Sequence, residues 1–299
     1  MATRSFDAKL AAVRAGDAKA VREALASTSG VLIAAAMPHS AAALLVPVFG
    51  RLCEDGVKRD PGCRTKIAIV QALIDADAWE PEVFERGLTV KQLEGWDPED
   101  TAGGLRALCG LAHARMIRPE AVDVLADLLA DATRNARIGA AQALALTSAT
   151  GVLRLKILLG DREIEVLAAC VESLLSIDRE QQTPFVLGLL RGHEDRGEVA
   201  ALALGGARIA AAAPPLIEWC AGCTPAQRHR VGYVALALLR SDQGNAYLLD
   251  AVRGNGKADA ISAARALATF KEEVADRLRA AAAEHRDPAV LREVEELLR

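Results

Sequence analysis

Small and large apolar residues recur in a short phrase about every thirty positions along the second half of the chain. The Ala-x-x-Leu core of this phrase places them on one face of a helix. The copies occupy residues 138–144, 168–174, 198–204, 230–236, 261–267 and 291–297. Their final leucines are 30, 30, 32, 31 and 30 residues apart, which leaves room for two helices and two short turns. The pattern predicts helical hairpins, each of which buries its apolar face only against its neighbours.

The phrase is less regular in the first half of the chain. Leu73 and Leu108 are the matching positions, and the spacings that follow them are 35 and 36 residues. Leu25 and Leu44 or Leu45 extend the pattern more loosely. We therefore predict irregular N-terminal helices over 1–58, longer repeats over 59–130 with an inserted loop at 89–101, and regular repeats over 131–299 that end in a capping helix.

Seven prolines stand where the repeat frame expects a helix to begin. They are Pro61, Pro81, Pro98, Pro119, Pro184, Pro225 and Pro288. Asp or Thr precedes Pro61, Pro98, Pro184 and Pro225, as in an N-cap followed by proline at the first helical position. Thr224 with Gln227 also has the spacing of a capping box. This use of proline favours helices over sheets.

The fold expected from these patterns is all-α. It is a right-handed α-solenoid of about nine stacked antiparallel helix hairpins that spans residues 1–299 as one architecture. The phrase at 199–205, continued by Pro-Pro-Leu-Ile at 214–217, resembles the short bacterial HEAT repeat of the type associated with phycobilin lyases. A second stretch, at 60–66, 100–102 and 105–106, resembles bacterial HEAT-repeat proteins of no known activity. The resemblance implies a fold and leaves the function open, because such repeats serve many unrelated partners.

Composition agrees with closely packed helices. Aromatic residues make up 3% of the 299-residue chain while 52% of it is hydrophobic, and Ala and Leu dominate that fraction. The net charge of −4 argues against a nucleic-acid partner. Six cysteines in a chain of this length are too sparse for a disulfide scaffold, and they favour a reducing cytoplasm.

No membrane or secretory segment is expected. The N-terminus has no apolar run behind its basic residues, so no signal peptide is indicated. The stretch 30–50 contains no charged residue and has the length of a membrane span. Because Pro38, His39 and Ser40 divide it, two buried helices are the favoured interpretation.

The segment 89–101 interrupts the repeat with an unusual set of polar residues and a tryptophan. Its candidate partner-binding residues, together with one residue of the following helix, are Lys91, Gln92, Glu94, Trp96, Asp100 and Arg106. Loops held on rigid repeats are frequent binding sites. In the competing interpretation, Trp96 fills a gap between imperfectly stacked repeats and Asp100 caps the next helix.

Other candidate chemistry is weaker. Cys220 and Cys223 have the spacing of a redox pair, but the pair follows a predicted helix, where the dipole disfavours a thiolate. A zinc site would need more ligands than His229 supplies, so a helix end closed by Gly222 is the favoured interpretation. The basic clusters at 134–137 and 228–230 fall short of a phosphate-binding stripe.

The function expected from the sequence is a non-catalytic scaffold that binds a protein partner. The concave surface of the solenoid, the 89–101 loop or both would form the binding surface, and we expect no cofactor, metal or catalytic residue. Two alternatives stay open. One is lyase-like handling of a ligand in the groove, and the other is nucleic-acid binding.

Overall fold

The computed structural model describes residue 15 and residues 17–26, 38–192, 194–254 and 256–299. Across these residues the chain is helical, which confirms the all-α prediction, apart from one two-stranded hairpin inside the predicted loop. The chain divides into two compact units, Met1–Leu153 and Arg154–Arg299. Of the segment 1–58 that was predicted to form irregular helices, residues 1–14, 16 and 27–37 lie outside the described residues.

Unit 1 is built from short helices and one hairpin. Its elements are α1 (Ala18–Ala26), α2 (Pro38–Glu54), α3 (Gly56–Arg59), a 3-10 turn (Pro61–Cys63), α4 (Arg64–Asp75), α5 (Pro81–Thr89), β1 (Leu93–Glu94), β2 (Glu99–Asp100), α6 (Gly103–Arg115), α7 (Ala121–Leu128) and α8 (Arg134–Leu144). Helix α9 (Thr150–Leu159) begins in unit 1 and ends in unit 2.

Alternate helices of unit 1 contact one another. Helix α4 packs against α6, and α6 packs against α8, while α5 and α7 cover α6 from a second layer. Helices α1 and α2 both contact α4. The core between the layers contains Phe49, Leu52, Ile69, Phe84 and Leu105, none of which is more than 1% exposed. Side chains of this size at helix contacts account for most of the burial that stabilises short helices.

Each of the helices α4, α6 and α8 has a buried cation near its beginning. The cations are Lys66, Arg106 and Arg137, which are 0%, 3% and 4% exposed. Buried residues follow each cation three, four and seven positions later. In this register, the residue of α6 that is equivalent to Leu73 of α4 is the buried His113. Leu108, which the sequence pattern had matched to Leu73, is only half-buried, so the repeat pattern and the packing assign different residues to this position.

The same register locates the extra residues of unit 1. Lys66 and Arg106 are 40 residues apart, whereas Arg106 and Arg137 are 31 apart. The irregularity predicted for two repeats therefore lies in one segment, the one between α4 and α6. That segment contains α5 and the hairpin.

Unit 2 continues with α10 (Ile164–Ile177), α11 (Arg179–Leu189), α12 (Glu194–Gly206), a 3-10 turn (Ala210–Ala212), α13 (Ala213–Gly222), α14 (Pro225–Gln227), a π-helical turn (Arg228–Gly232), α15 (Tyr233–Leu239), α16 (Asp242–Gly254), α17 (Lys257–Ala268), α18 (Lys271–Ala283) and α19 (Pro288–Leu297). The repeated phrase falls in α10, α12, α17 and α19 and, for its fourth copy, in the π-helical turn with α15. These helices contact one another in that order, α10 to α12 to α15 to α17 to α19.

Small residues bring these helices of unit 2 close together. Leu174, Leu204, Leu236 and Leu267 are each at most 1% exposed. A Cβ added at Gly205 would overlap the backbone carbonyl of Ala235 on the neighbouring helix. Close approach of two backbones is a position that glycine alone can fill.

The prediction that proline stands at the first position of a helix is confirmed at three of the prolines. Pro81, Pro225 and Pro288 occupy this position, and Thr224 accepts a hydrogen bond from Gln227 N at 3.3 Å. The prediction was wrong at Pro184, which lies inside α11, because Asp178 caps that helix five residues earlier than Thr183 would. It was also wrong at Pro98, which belongs to the hairpin turn.

None of the helices in the described part of the chain is both long and apolar enough to cross a membrane. In the uncharged stretch 30–50, residues 30–37 lie outside that part, and the rest belongs to α2.

Candidate partner-binding hairpin

The segment predicted as an inserted loop forms a tight antiparallel hairpin. Leu93 pairs with Asp100 and Glu94 pairs with Glu99, and the turn between them comprises residues 95–98. Thr101 N donates to Gln92 O at 2.9 Å and extends the pairing by one step. Gly95 has φ +92°, a backbone conformation that residues with a Cβ rarely adopt. The turn therefore depends on glycine at its first position.

Gln92 fixes the hairpin to the preceding helices. The side chain is 3% exposed, and its Nε2 donates to Asp60 O at 2.8 Å and to the Glu94 carboxylate. A Cβ at Gly56 would overlap the Gln92 amide, so α3 packs directly on this side chain. A buried amide with satisfied hydrogen bonds holds one geometry, because any displacement leaves a polar group without a partner.

Arg106 fixes the other strand. Its guanidinium lies 2.9 Å from Asp100 Oδ2, and its Nε and Nη2 donate to the two carboxylate oxygens of Asp131 at 2.8 and 2.9 Å. Nη1 donates to Val90 O at 2.6 Å. One arginine thus joins the end of α5, the hairpin, α6 and the turn before α8. Bidentate arginine–carboxylate pairs are among the most directional contacts in proteins.

Asp100 also holds the beginning of α6. Its Oδ1 accepts hydrogen bonds from Ala102 N and Gln92 N, both at 3.0 Å. Burial alone would raise the pKa of Asp100, but these backbone donors and Arg106 outweigh burial and lower that pKa below its ordinary value. The interpretation of Asp100 as the cap of the next helix is wrong, because the N-cap of α6 is Ala102 and that helix has no side-chain cap hydrogen bond. Asp100 instead accepts from the N–H of the N-cap residue itself.

Glu94 ties the hairpin to the 3-10 turn before α4. Its two carboxylate oxygens accept from Gly62 N at 2.9 and 3.0 Å, and Thr101 Oγ1 donates to Oε1 at 3.3 Å. The hydrogen bond from Gln92 and the one from Gly62 lower the pKa of Glu94. Glu94 is therefore a structural carboxylate that stays ionised at neutral pH.

The hairpin tip is fully exposed. Trp96 has a relative exposure of 103% and Leu93 one of 59%, and Lys91, Asp97 and Glu99 are exposed beside them. The interpretation that Trp96 fills a gap between repeats is wrong, because the indole contacts no core. It could not be settled from the sequence, since the same residue type suits a core and a binding surface.

The six candidate residues thus separate into two groups. Gln92, Glu94, Asp100 and Arg106 hold the hairpin in place, and Lys91 and Trp96 are exposed to solvent. Leu93, Asp97 and Glu99 are exposed neighbours that were not among the predicted site residues. No hydropathy pattern indicated this strand, because its buried residue is the polar Gln92 and the apolar Leu93 is exposed.

The cysteine pair of unit 2 lies in a structural setting. Cys220 is buried at the end of α13, and desolvation there raises the pKa of its thiol to about 12. Cys223 Sγ donates to Trp219 O at 3.3 Å. A thiol with a raised pKa is a poor nucleophile and a poor metal ligand.

The basic cluster at 228–230 is paired with acidic groups. His229 Nε2 lies 2.6 Å from Asp259 Oδ1, Arg228 Nη1 lies 3.7 Å from the same oxygen, and Arg230 pairs with Glu198. In the other cluster, Arg137 is buried and donates to two backbone carbonyls. These contacts take up charge that a phosphate-binding surface would present to its ligand.

Known proteins give no guide to this site. No protein-family model matches the chain, and no curated protein is significantly similar to it in sequence. Among the described residues, no group of three or more histidine, cysteine or acidic side chains is arranged to hold a metal ion.

Proposed function

We propose that this protein is a non-catalytic scaffold that binds a partner protein through the hairpin at 89–101, with Trp96 as the anchor. The observation that carries the proposal is a fully exposed tryptophan at the tip of a hairpin whose base is fixed by buried polar contacts. Tryptophan is enriched among the residues that contribute most to interface affinity. An indole in water contributes nothing to the fold.

The rigid base of the hairpin strengthens this proposal. Binding loses less conformational entropy when the contacting loop is already ordered. Gln92 and Arg106 provide that order from opposite strands. Their role is to position the tip, and the contact itself falls to Trp96 and its exposed neighbours.

We further propose that each unit is a right-handed stack of HEAT-type helix hairpins. The contacts of α4, α6 and α8, and those of α10, α12, α15, α17 and α19, support this proposal, because alternate helices touch in chain order. In unit 1 a cleft of about 420 Å³ between α6 and α8, lined mainly by Ala107, Leu108, Leu111, Ile138 and Leu146, is the second surface available to a partner. A cytoplasmic location belongs to the proposal, and the six free cysteines support it.

The test is affinity capture with three forms of the full chain, namely wild type, Trp96→Ala and Ile117→Ala. Ile117 is 88% exposed and lies outside the hairpin, so it controls for loss of an exposed apolar side chain. We expect wild type and Ile117→Ala to retain the same partner in stoichiometric amounts and Trp96→Ala to lose it. Replacing an interface tryptophan costs roughly 2–4 kcal/mol, a decrease in affinity of about 30- to 1,000-fold.

The melting temperature of Trp96→Ala should equal that of wild type, because the indole makes no contact that stabilises the fold. Equal capture by Trp96→Ala and wild type would refute the proposal. The open alternatives have their own readouts in the same preparation. A lyase-like protein would retain a ligand through purification, and a nucleic-acid-binding protein would bind heparin with an affinity that falls steeply with salt.

A further inference from the structure

Arginine lies between an aromatic face and a carboxylate at two places in this chain. Arg118 Cζ lies 4.7 Å from the centroid of the Trp79 ring, and Arg118 Nε is 3.5 Å from Glu120 Oε1. Arg240 Cζ lies 5.0 Å from the centroid of Phe270, and its Nε donates to Glu273 Oε2 at 3.1 Å. One pair belongs to unit 1 and the other to unit 2. The ring attracts the cation in both places. The carboxylate accepts a hydrogen bond from Nε at Arg240, whereas Arg118 Nε has no hydrogen-bond partner among the residues that the structure describes and only an ion-pair contact with Glu120.

The hairpin tip carries the same kinds of group, an aromatic ring and carboxylates, within four consecutive residues. Trp96 is fully exposed, and Asp97 and Glu99 are exposed on either side of Pro98. Within the described ranges, neither carboxylate has an ion-pair partner and no cation lies over the Trp96 ring.

The strand pairing adds an electrostatic reason for a cation. Glu94 lies directly opposite Glu99 in the two-residue ladder. Like charges in that position repel each other, and Glu94 is already committed to Gly62 N and Thr101. A positive group beside Glu99 would offset this repulsion.

We propose that Trp96, Asp97 and Glu99 form a receptor for an arginine side chain that an extended segment of the partner protein presents. The guanidinium would stack on the indole face and pair with one or both carboxylates. Arginine suits this site better than lysine, because its planar guanidinium stacks on an aromatic ring and makes two parallel hydrogen bonds. This inference rests on the proposed function and names the chemistry of the partner.

The test uses purified full-length protein and three synthetic twelve-residue peptides. The first has three arginines separated by glycine and serine. In the second each arginine is replaced by citrulline, which keeps the shape and removes the charge, and in the third by lysine. Binding is followed by titration calorimetry and by the indole N–H resonance of Trp96, which the spectrum of Trp96→Phe identifies.

We expect the arginine peptide to shift the Trp96 resonance and to bind about tenfold or more tightly than the citrulline peptide. The lysine peptide should bind with intermediate affinity. The double variant Asp97→Asn/Glu99→Gln should lose about the same factor toward the arginine peptide and much of the salt dependence. Its control, Glu85→Gln/Asp127→Asn, changes the net charge equally at exposed positions outside the hairpin and should bind as wild type does.

Equal affinity for arginine and citrulline peptides, or no loss in the Asp97/Glu99 variant, would overturn the inference, as would an arginine peptide that leaves the Trp96 resonance unmoved. Partner capture separates the two proposals. If Trp96→Ala loses the partner while Asp97→Asn/Glu99→Gln retains it fully, the arginine inference fails and the scaffold proposal stands. If Trp96→Ala retains the partner, the scaffold proposal fails.

Discussion

The two units differ at one position of their contacting helices. This position lies near the beginning of each helix, and buried residues follow it three, four and seven positions later. In unit 1 this position holds the buried cations Lys66, Arg106 and Arg137. In unit 2 the corresponding residue is Leu167 in α10 and Gly197 in α12, and each stands three and four positions before two buried residues. In α17 it is Ala260, and in the π-helical turn before α15 it is His229, which pairs with Asp259. The stacks therefore have similar helices and different chemistry at the start of each helix.

A buried cation requires an acidic partner, and the connections of unit 1 supply it. Lys66 Nζ lies 3.1 Å from Asp60 Oδ2 with both side chains fully buried, and Arg106 pairs with Asp100 and Asp131. Asp60 lies before α4, Asp100 lies in the hairpin and Asp131 lies before α8. The longer connection of unit 1 is thus part of its charge pairing. Unit 2 repeats at nearly constant length and has apolar or small residues at this position of α10, α12 and α17, while its buried carboxylate Glu198 pairs with Arg230 at another position.

The largest expected loss of stability comes from a charge introduced into the apolar core of unit 2. Leu174 is fully buried in α10, so Leu174→Asp should lower the free energy of unfolding of unit 2 by more than about 4 kcal/mol. Denaturant unfolding followed by Trp219 fluorescence, in a Trp79→Phe/Trp96→Phe background, measures it. Glu172→Ala on the exposed face of the same helix should change stability by less than about 0.5 kcal/mol. A Leu174→Asp protein as stable as this control would refute the packing.

A slightly smaller loss is expected when a charge pair of unit 1 is broken. Lys66→Met removes the buried cation beside Asp60 and leaves the partly exposed Arg22, 3.6 Å from Asp60 Oδ1, as a weaker partner, so it should cost about 3 kcal/mol. The double variant Lys66→Met/Asp60→Asn should recover part of that loss, because no charge is then left unpaired. Leu167→Met at the corresponding position of unit 2 should cost less than about 1.5 kcal/mol. If Lys66→Met and Leu167→Met cost the same, the contrast between the units does not hold.

Acid should unfold unit 1 before unit 2. Burial alone would raise the pKa values of Asp60 and Asp131, yet backbone and side-chain donors with Lys66 and Arg106 lower both pKa values below the ordinary one. A carboxylate with a lowered folded-state pKa stabilises the fold above its unfolded pKa of about 3.9. That stability is lost as pH falls from this value through the folded pKa.

In unit 2 the pKa of Asp287 is lowered, chiefly by a hydrogen bond from the backbone of Ala289. Trp79 fluorescence reports unit 1, because the ring packs on Phe84 and His113, and Trp219 reports unit 2. Single-tryptophan variants titrated from pH 6 to pH 2 should show the Trp79 transition at the higher pH. Coincident transitions, or a Trp219 transition at higher pH, would contradict the charge pairing.

The smallest expected effect concerns a turn that both units share. Ile117 follows α6 at φ +53° and Arg208 follows α12 at φ +52°. Backbone hydrogen bonds from Arg118 N to His113 O and from Ile209 N to Leu204 O close the two turns alike. A β-branched residue is strained in this conformation, so Ile117→Gly should stabilise unit 1 by about 1 kcal/mol. Arg208→Gly should gain less in unit 2, and an equal or larger gain there would contradict this reason.

Much of the architecture was predictable because a helix shows its buried face as a period in the sequence. The leucines at 144, 174, 204, 236 and 267 are all buried, and the phrases that contain them are helical. The prediction failed where a contact far along the chain decides the structure. Leu108 matched the period, but Arg106 sets the register of α6 through Asp131, 25 residues away.

The sequence predicted which segment forms the candidate site but not which of its side chains are buried and which are exposed. A polar stretch with one tryptophan indicated residues 89–101, but Gln92 and Arg106 looked equally available to a partner. Their burial depends on Asp60 and Asp131, which no local pattern brings near them. The prediction of a helix start at Pro184 was wrong for a related reason. Asp178 caps this helix earlier in the chain, so the proline lies inside it.

The sequence by itself determined that the chain is helical and which apolar faces must find a neighbour, because helix periodicity and the burial of apolar area are properties of short segments. Tertiary structure decided which charges are buried in pairs and that Trp96 lies in solvent. Those outcomes depend on groups distant in sequence meeting in space, where the desolvation of a charge is offset only by a partner at hydrogen-bonding distance.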